Sequence, residues 1–261
     1  LKKTRTMALI HSLEKSGNFL FKYRGQIPVI LFLGALPFVY FMPSGIQKYL
    51  ASSDSGVIMG IVSVIALLVS FAGVCIRAYT IGTTPHGTSG RNRDKQVAKQ
   101  LNTKGIYSTV RHPLYLGNYL MWAGVLLYTF NLSLFLIISL VYWLYYERIM
   151  FTEERYLERQ FGDEYLNWSL QVPAFIPKFA QYQKGEIPFS FKSVLRREYS
   201  GIFALVLGFT TVDYLRALNL SNYTATSMEW WRPSLFVLII FLVFMLVLRT
   251  LKHYTHLLDK E

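Results

Sequence analysis

Gly56-Val-Ile-Met-Gly-Ile-Val-Ser-Val-Ile-Ala-Leu-Leu-Val-Ser-Phe-Ala-Gly-Val-Cys-Ile76 is a run of 21 residues without a charge. A bilayer core about 30 Å thick needs roughly 20 helical residues at about 1.5 Å each. The stretch therefore reads as a membrane-spanning helix, and it sets the class of the chain. Working outward, Ile27–Met42 is uncharged for 16 residues, with Pro28 where a first helical turn accepts it. Pro233–Leu248 is a second run of 16, also headed by proline. Leu114–Tyr146 is uncharged for 33 residues, too long for one span and a little short for two. Asn131-Leu-Ser133 at its middle reads as a tight turn. The expectation is a short hairpin of Leu114–Phe130 and Leu134–Tyr146. Gly201–Leu218 is interrupted by Asp213 and Arg216, which are three apart and able to share a helix face. It reads as a sixth span with a structural ion pair near one membrane edge, or as a half-buried helix.

Composition agrees. Of 261 residues, 52% are hydrophobic and only 16% charged, with a net charge of +12. A soluble domain carries about 25% charged residues, and disorder needs low hydrophobicity. The fold class is all-α integral membrane, with about six transmembrane helices. On that topology 24 of the 27 Lys and Arg fall on one side. Basic loops mark the cytoplasmic face, so both termini are expected there. The basic residues are spread over four segments, which argues against a nucleic-acid partner. The single cysteine, Cys75, excludes a disulfide framework. His253 and His256 read as a membrane-edge pair rather than metal ligands, and no metal is expected.

The spans hold few polar groups, whereas a channel or carrier places them at mid-membrane. Polar residues gather instead in Arg77–Arg111 and Glu147–Arg197, on either side of the hairpin. That arrangement suits a cytoplasmic cofactor pocket resting on short helices. The first segment leads into Gly105-Ile-Tyr-Ser-Thr-Val-Arg-His-Pro-Leu-Tyr-Leu-Gly-Asn118. Pro113 suits the first helical turn, and Arg111 and His112 then sit beside a helix N-terminus, which favours anions. The plain alternative is a basic membrane edge with a belt tyrosine. The second segment has apolar residues at 149, 156, 157, 161, 165 and 168, which is helical spacing. It predicts an amphipathic helix continuing from the fourth span and broken at Gly162, or simply a solvated face. Val172-Pro-Ala-Phe-Ile-Pro177 then turns the chain back.

Leu101-Asn-Thr-Lys-Gly-Ile-Tyr107, Arg111-His-Pro-Leu-Tyr-Leu-Gly117, Glu153-Glu154, Phe161-Gly-Asp-Glu-Tyr165 and Val172-Pro173, in that order, resemble the isoprenylcysteine carboxyl methyltransferase and phospholipid methyltransferase superfamily. The resemblance covers residues 73–178. It implies a membrane enzyme that moves the methyl group of S-adenosylmethionine to a lipid or lipid-linked carboxylate, phosphate or amine. It also implies a cofactor pocket lined by Gly105, Tyr107, His112, Pro113, Tyr115 and Gly117, with Glu154 on the ribose hydroxyls. The methionyl carboxylate suits Arg111 beside His112. Arg148 is the candidate cation for an anionic acceptor, and Glu153 the candidate base for an amine. Five residues apart, they lie about 140° apart on a straight helix and share a site only if it bends. A snorkelling Arg148 is the structural alternative.

Domain boundaries follow as 1–72, 73–180 for the catalytic core, and 181–261 for a C-terminal pair of helices. That pair is expected to shape the acceptor site or to form an oligomer interface. Two other function classes compete. Sterol reductases share an Arg-His-x-x-Tyr-x-Gly element and use NADPH, but they carry Asn before that tyrosine and an acid after the glycine. Leu114 and Asn118 stand there. A non-enzymatic membrane scaffold with a basic face is the third reading.

Overall fold

The computed structural model describes residues 8–41, 56–85, 98–224, 231–255 and 257–258. Met42, Lys48, His86 and His256 lie outside them. Among the described residues there are helices α1 (Leu9–Lys22), α2 (Ile27–Phe41), α3 (Gly56–Thr83), α4 (Pro113–Leu127), α5 (Leu132–Phe161), α6 (Asp163–Ser169), α7 (Phe191–Thr224) and α8 (Pro233–Tyr254), with no strand. Each of the six segments expected to span is helical. Four helices are long and apolar enough to cross a bilayer by themselves: α3, α5, α7 over Phe191–Asn219, and α8. α1 and α2 meet at 82° and make a fifth span if the bent pair counts as one. Among the described residues, four helices, or five with the bent pair counted, meet that length and composition, beside the about six spans expected. α4 falls short because its 15 residues reach only about 22 Å. Val57, Phe71, Leu140, Ile240 and Val243 are all more than half exposed. Such a surface fits lipid and not water.

The chain divides into two compact units: Leu1–Ile30, Thr84–His112 and Leu140–Glu186 form one; Leu31–Thr83, Pro113–Ser139 and Ile187–Glu261 form the other. In the second unit α3 and α4 pack at their small residues. A Cβ on Gly124 would lie 2.1 Å from Ser70 Oγ and 2.3 Å from the Ala66 carbonyl oxygen. One on Gly73 would lie 2.6 Å from the Gly117 carbonyl oxygen. Small residues at this spacing let two helix backbones approach, which is how helices associate in lipid. The Ser70 hydroxyl donates to the Met121 carbonyl at 2.7 Å across the same contact. Met121, Val125, Leu205 and Val212 form the buried core, with Phe32, Val74 and Trp122 against it.

The hairpin turn comes slightly earlier than the sequence suggests. α4 ends at Leu127, and α5 has begun by Leu132. Phe130 takes the left-handed conformation, at φ 54°. Asn131 Oδ1 accepts from the Leu134 N–H at 3.0 Å, so Asn131 caps α5 rather than opening the turn. The partner of Asp213 also differs from expectation. Its direct ion pair is with Arg232, at 2.7 and 3.1 Å, and the Ser234 hydroxyl donates to it at 2.7 Å. Arg216 instead lies over the rings of Tyr128 and Phe130, 4.4 and 4.1 Å from their centroids. Aromatic faces hold a guanidinium well, which leaves the carboxylate to the start of α8.

Candidate functional site

In the first unit, the chain ahead of α4 is held by backbone pairing. The Arg111 N–H donates to the Pro173 carbonyl at 2.9 Å and the His112 N–H to Ala174 at 3.1 Å. The Lys178 N–H returns to the Thr109 carbonyl at 2.9 Å. Further out, Gly105 and Gln183 form an antiparallel bridge, and Gly105 has φ 63°, which suits glycine. The Trp168 indole donates to the Tyr107 carbonyl at 3.3 Å. The Val172-Pro173 turn is thereby laid along the segment that carries Arg111 and His112.

α5 supplies the acids. It continues without a break from apolar Leu132 into the charged segment and stops at Phe161, where Gly162 adopts φ 55°. The expected continuation and break are both present. Glu154 Oε1 accepts from Arg111 Nε at 3.0 Å and from His112 Nε2 at 2.8 Å. Arg111 Nη2 reaches Glu154 Oε2 at 3.4 Å. Nη1 donates to the carbonyls of Ser169 and Val172. Arg111 thus ties the turn after α6 to α5. His112 is only 6% exposed. Its other ring nitrogen, Nδ1, lies 3.7 Å from Glu153 Oε2, which is buried and has no hydrogen-bond partner among the described residues. The Tyr165 hydroxyl is buried beside the Glu154 carboxylate. Burial raises its pKa well above the ordinary tyrosine value, and the nearby Glu154 carboxylate adds to the shift.

Arg111, His112, Glu153 and Glu154 therefore meet, with Gly105 and Tyr107 on the same paired segment. Arg148 points elsewhere. α5 is unbroken between Arg148 and Glu153, and Arg148 Nη1 donates to Ser16 Oγ of α1 at 3.3 Å. Pro113, Tyr115 and Gly117 belong to the second unit, where all three are buried on the first turns of α4. Gly117 faces α3 there: an added Cβ would come 2.5 Å from Arg77 Cγ. Sequence reasoning assigned no role to Tyr165, although it closes the Phe161–Tyr165 motif. It also gave no partner to Arg77, which binds Glu198 and Asn118 in the second unit. No local signal links Arg77 to an acid 121 residues away. Among the described residues no group of three or more His, Cys, Asp or Glu is placed to hold a metal ion.

Comparison with known proteins places this cluster inside a recognised segment. The phospholipid methyltransferase family matches residues 57–164. The chain is 38% identical over 89 residues to a protein-S-isoprenylcysteine O-methyltransferase of Schizosaccharomyces pombe, covering 34% of this chain and 36% of that one. It is 34% identical over 95 residues to the cobalt-zinc-cadmium resistance protein CzcN of Cupriavidus metallidurans, covering 36% and 41%. It is 31% identical over 117 residues to the protein-S-isoprenylcysteine O-methyltransferase of Saccharomyces cerevisiae, covering 44% and 48%. The chain thus spans between about a third and a half of the length of these curated relatives. No solved structure matches.

Proposed function

We propose, on the phospholipid methyltransferase match over residues 57–164 and the similarity to protein-S-isoprenylcysteine O-methyltransferases, that this chain is an integral membrane methyltransferase that uses S-adenosylmethionine. Its acceptor is a lipid or lipid-linked group. The observation that carries the reading is the cluster of Arg111, Glu153 and Glu154 around buried His112, with Glu153 Oε2 left unbonded among the described residues. The cluster sets two glutamate carboxylates beside one arginine, and S-adenosylmethionine carries a sulfonium and an ammonium against one carboxylate, so its cationic groups have acidic partners here. An unbonded buried carboxylate oxygen suits a donor such as a ribose hydroxyl, because leaving it unmet costs about 1–3 kcal/mol.

Bound S-adenosylmethionine supplies an electrophilic methyl group on sulfur. The protein's part is binding, orientation and exclusion of water. Glu153 Oε2 has hydrogen-bonding capacity left among the described residues, so Glu153 takes the ribose-facing role that the resemblance gives to Glu154. Glu154 holds His112 and Arg111 in place, and Arg111 fastens the Ser169–Val172 turn. His112 Nε2 bonds Glu154, and its Nδ1 lies 3.7 Å from Glu153. In the first unit, Gly105 and Tyr107 remain the proposed lining. An amine acceptor requires a proton to leave, and Glu153 is the acceptor for it. A carboxylate or phosphate needs only a cation, and Arg148, turned to Ser16 on an unbroken α5, does not stand beside Glu153 to supply it. An anion meeting a sulfonium loses charge in the transition state, so a dry site favours the step. The Lys and Arg distribution supports termini and site on the cytoplasmic face.

The test is incubation of membranes containing the protein with radiolabelled S-adenosylmethionine, followed by solvent extraction. Label in the lipid fraction, dependent on the protein and lost in Glu153→Ala, is the expected result. Calorimetry that shows folded protein binding NADPH and not S-adenosylmethionine would refute it.

A further inference from the structure

The C-terminal helices lie beyond the matched segment, yet one of them is built into the motif-bearing helix. Arg77 on α3 donates from Nε to Glu198 Oε2 at 2.6 Å and from Nη2 to Glu198 Oε1 at 2.6 Å, a bidentate pair. Nη1 donates to Asn118 Oδ1 at 2.5 Å. Glu198 sits on α7 and is 3% exposed. Asn118 is the residue after Gly117, so one guanidinium joins α3, α4 and α7. Two further contacts in the same unit set the start of α7. The Ser190 N–H donates to the Gly82 carbonyl at 2.9 Å. The Phe189 ring covers Gly82, where an added Cβ would fall 2.4 Å from Phe189 Cε2. Gly117 lets the arrangement close, since the Arg77 stem passes over its Cα.

We propose that Glu198 is a positioning residue for methyl transfer. Through Arg77 and Asn118 it fixes the first turns of α4, which carry Pro113, Tyr115 and Gly117. The inference rests on the methyltransferase reading and extends it, because it makes the C-terminal hairpin part of the working enzyme. The physics is the rigidity of a fork-to-fork pair. Arg presents parallel donors that match a carboxylate, and removing one partner of a buried pair leaves the other charge uncompensated. A glutamine at 198 would turn an NH2 toward an Arg77 N–H, donor against donor. An aspartate keeps the charge and reaches less far.

Two measurements on the full-length protein test this. Deuterium exchange read over residues 115–122 needs no reaction and decides the clamp. Glu198→Gln is expected to exchange faster there than wild type, with α8 unchanged. Activity decides the role: Glu198→Gln is expected to lose about tenfold or more in kcat/KM, since small displacements of a positioned group cost that much. Glu198→Asp should restore a large part of it. Leu205→Ala, a core substitution on the same helix, should lower the unfolding midpoint and leave turnover at 25 °C unchanged. Unaltered exchange over 115–122, acceleration spread evenly over the molecule, or activity per folded molecule equal to wild type would each overturn the proposal. Wild type that fails to bind S-adenosylmethionine would instead overturn the methyltransferase reading, leaving the exchange result to stand for the clamp alone.

Discussion

Glu153 and Glu154 are neighbours in sequence but differ in their bonding, so under the proposed function substituting each by glutamine should separate stability from ligand binding. Glu154 accepts from His112 at 2.8 Å and from Arg111 at 3.0 and 3.4 Å. Charge-assisted hydrogen bonds contribute about 1.5–3 kcal/mol each. Glutamine keeps one acceptor oxygen and loses the charge, so roughly half of two good bonds disappears. The side chain is 25% exposed, so solvent screens part of the loss. A net cost of about 2 kcal/mol follows, and at about 2–4 °C per kcal/mol the unfolding midpoint falls by about 4–8 °C. Glu153 Oε2 has no such bonds to lose among the described residues. A glutamine NH2 there would face His112 Nδ1 across the 3.7 Å gap. Glu153→Gln should therefore leave the midpoint within about 0.5 kcal/mol of wild type, as ordinary surface changes do. Its S-adenosylmethionine affinity should weaken by about tenfold, the equivalent of about 1.4 kcal/mol for one lost hydrogen bond. The assays are thermal unfolding in detergent and calorimetric titration on the same preparations. Equal loss of stability in the two variants, or Glu153→Gln binding the cofactor as wild type does, would refute the division.

Gly124→Ala should destabilise the α3–α4 contact by about 1–3 kcal/mol, the usual cost of overpacking. The added methyl would meet Ser70 Oγ and the Ala66 backbone, and a lowered unfolding midpoint is the readout. Tyr165→Phe should flatten the alkaline limb of stability. The phenol is raised by burial, so its contribution is intact below its ordinary value of 10.0 and falls as pH climbs beyond it. Unfolding midpoints across pH 9 to about 11.5 should converge for the two proteins at the acid end and favour the phenylalanine variant at the alkaline end.

How far the sequence speaks depends on the range of the interaction that decides each feature. Gly56–Ile76 announces a span because every residue in it meets the same solvent. The break at Gly162 is legible because left-handed backbone favours glycine at that residue. The extended Arg111-His112 entry into α4 is legible from Pro113 next door. What no local rule gives is the choice of partner across the fold. Arg111 beside a helix N-terminus reads as an anion site, yet its guanidinium reaches a carboxylate 43 residues away and two loop carbonyls. Asp213 and Arg216 share a helix and still divide, because Tyr128 and Phe130 offer the arginine two ring faces while α8 brings Arg232 to the aspartate. The length of α4 has a related origin. Hydropathy marks α4 as membrane material, but its length was set by Pro113 at one end and by the turn at Phe130 at the other.

The same contrast explains why one helix can serve both lipid and chemistry. In α5, Leu136, Ile137, Leu140 and Leu144 are all more than half exposed, which suits acyl chains. About two turns beyond Leu144 the same rigid rod presents Glu153 and Glu154 to Arg111 and His112. A helix transmits position along its axis because each backbone hydrogen bond fixes the next residue. The depth of the apolar half in the bilayer therefore sets the height of the carboxylates above it. Under the proposed function, a lipid-linked acceptor is held at the same interface by its own hydrocarbon. Anchoring both partners to one plane would then remove much of the search in the third dimension, which is the part of the barrier that positioning can lower.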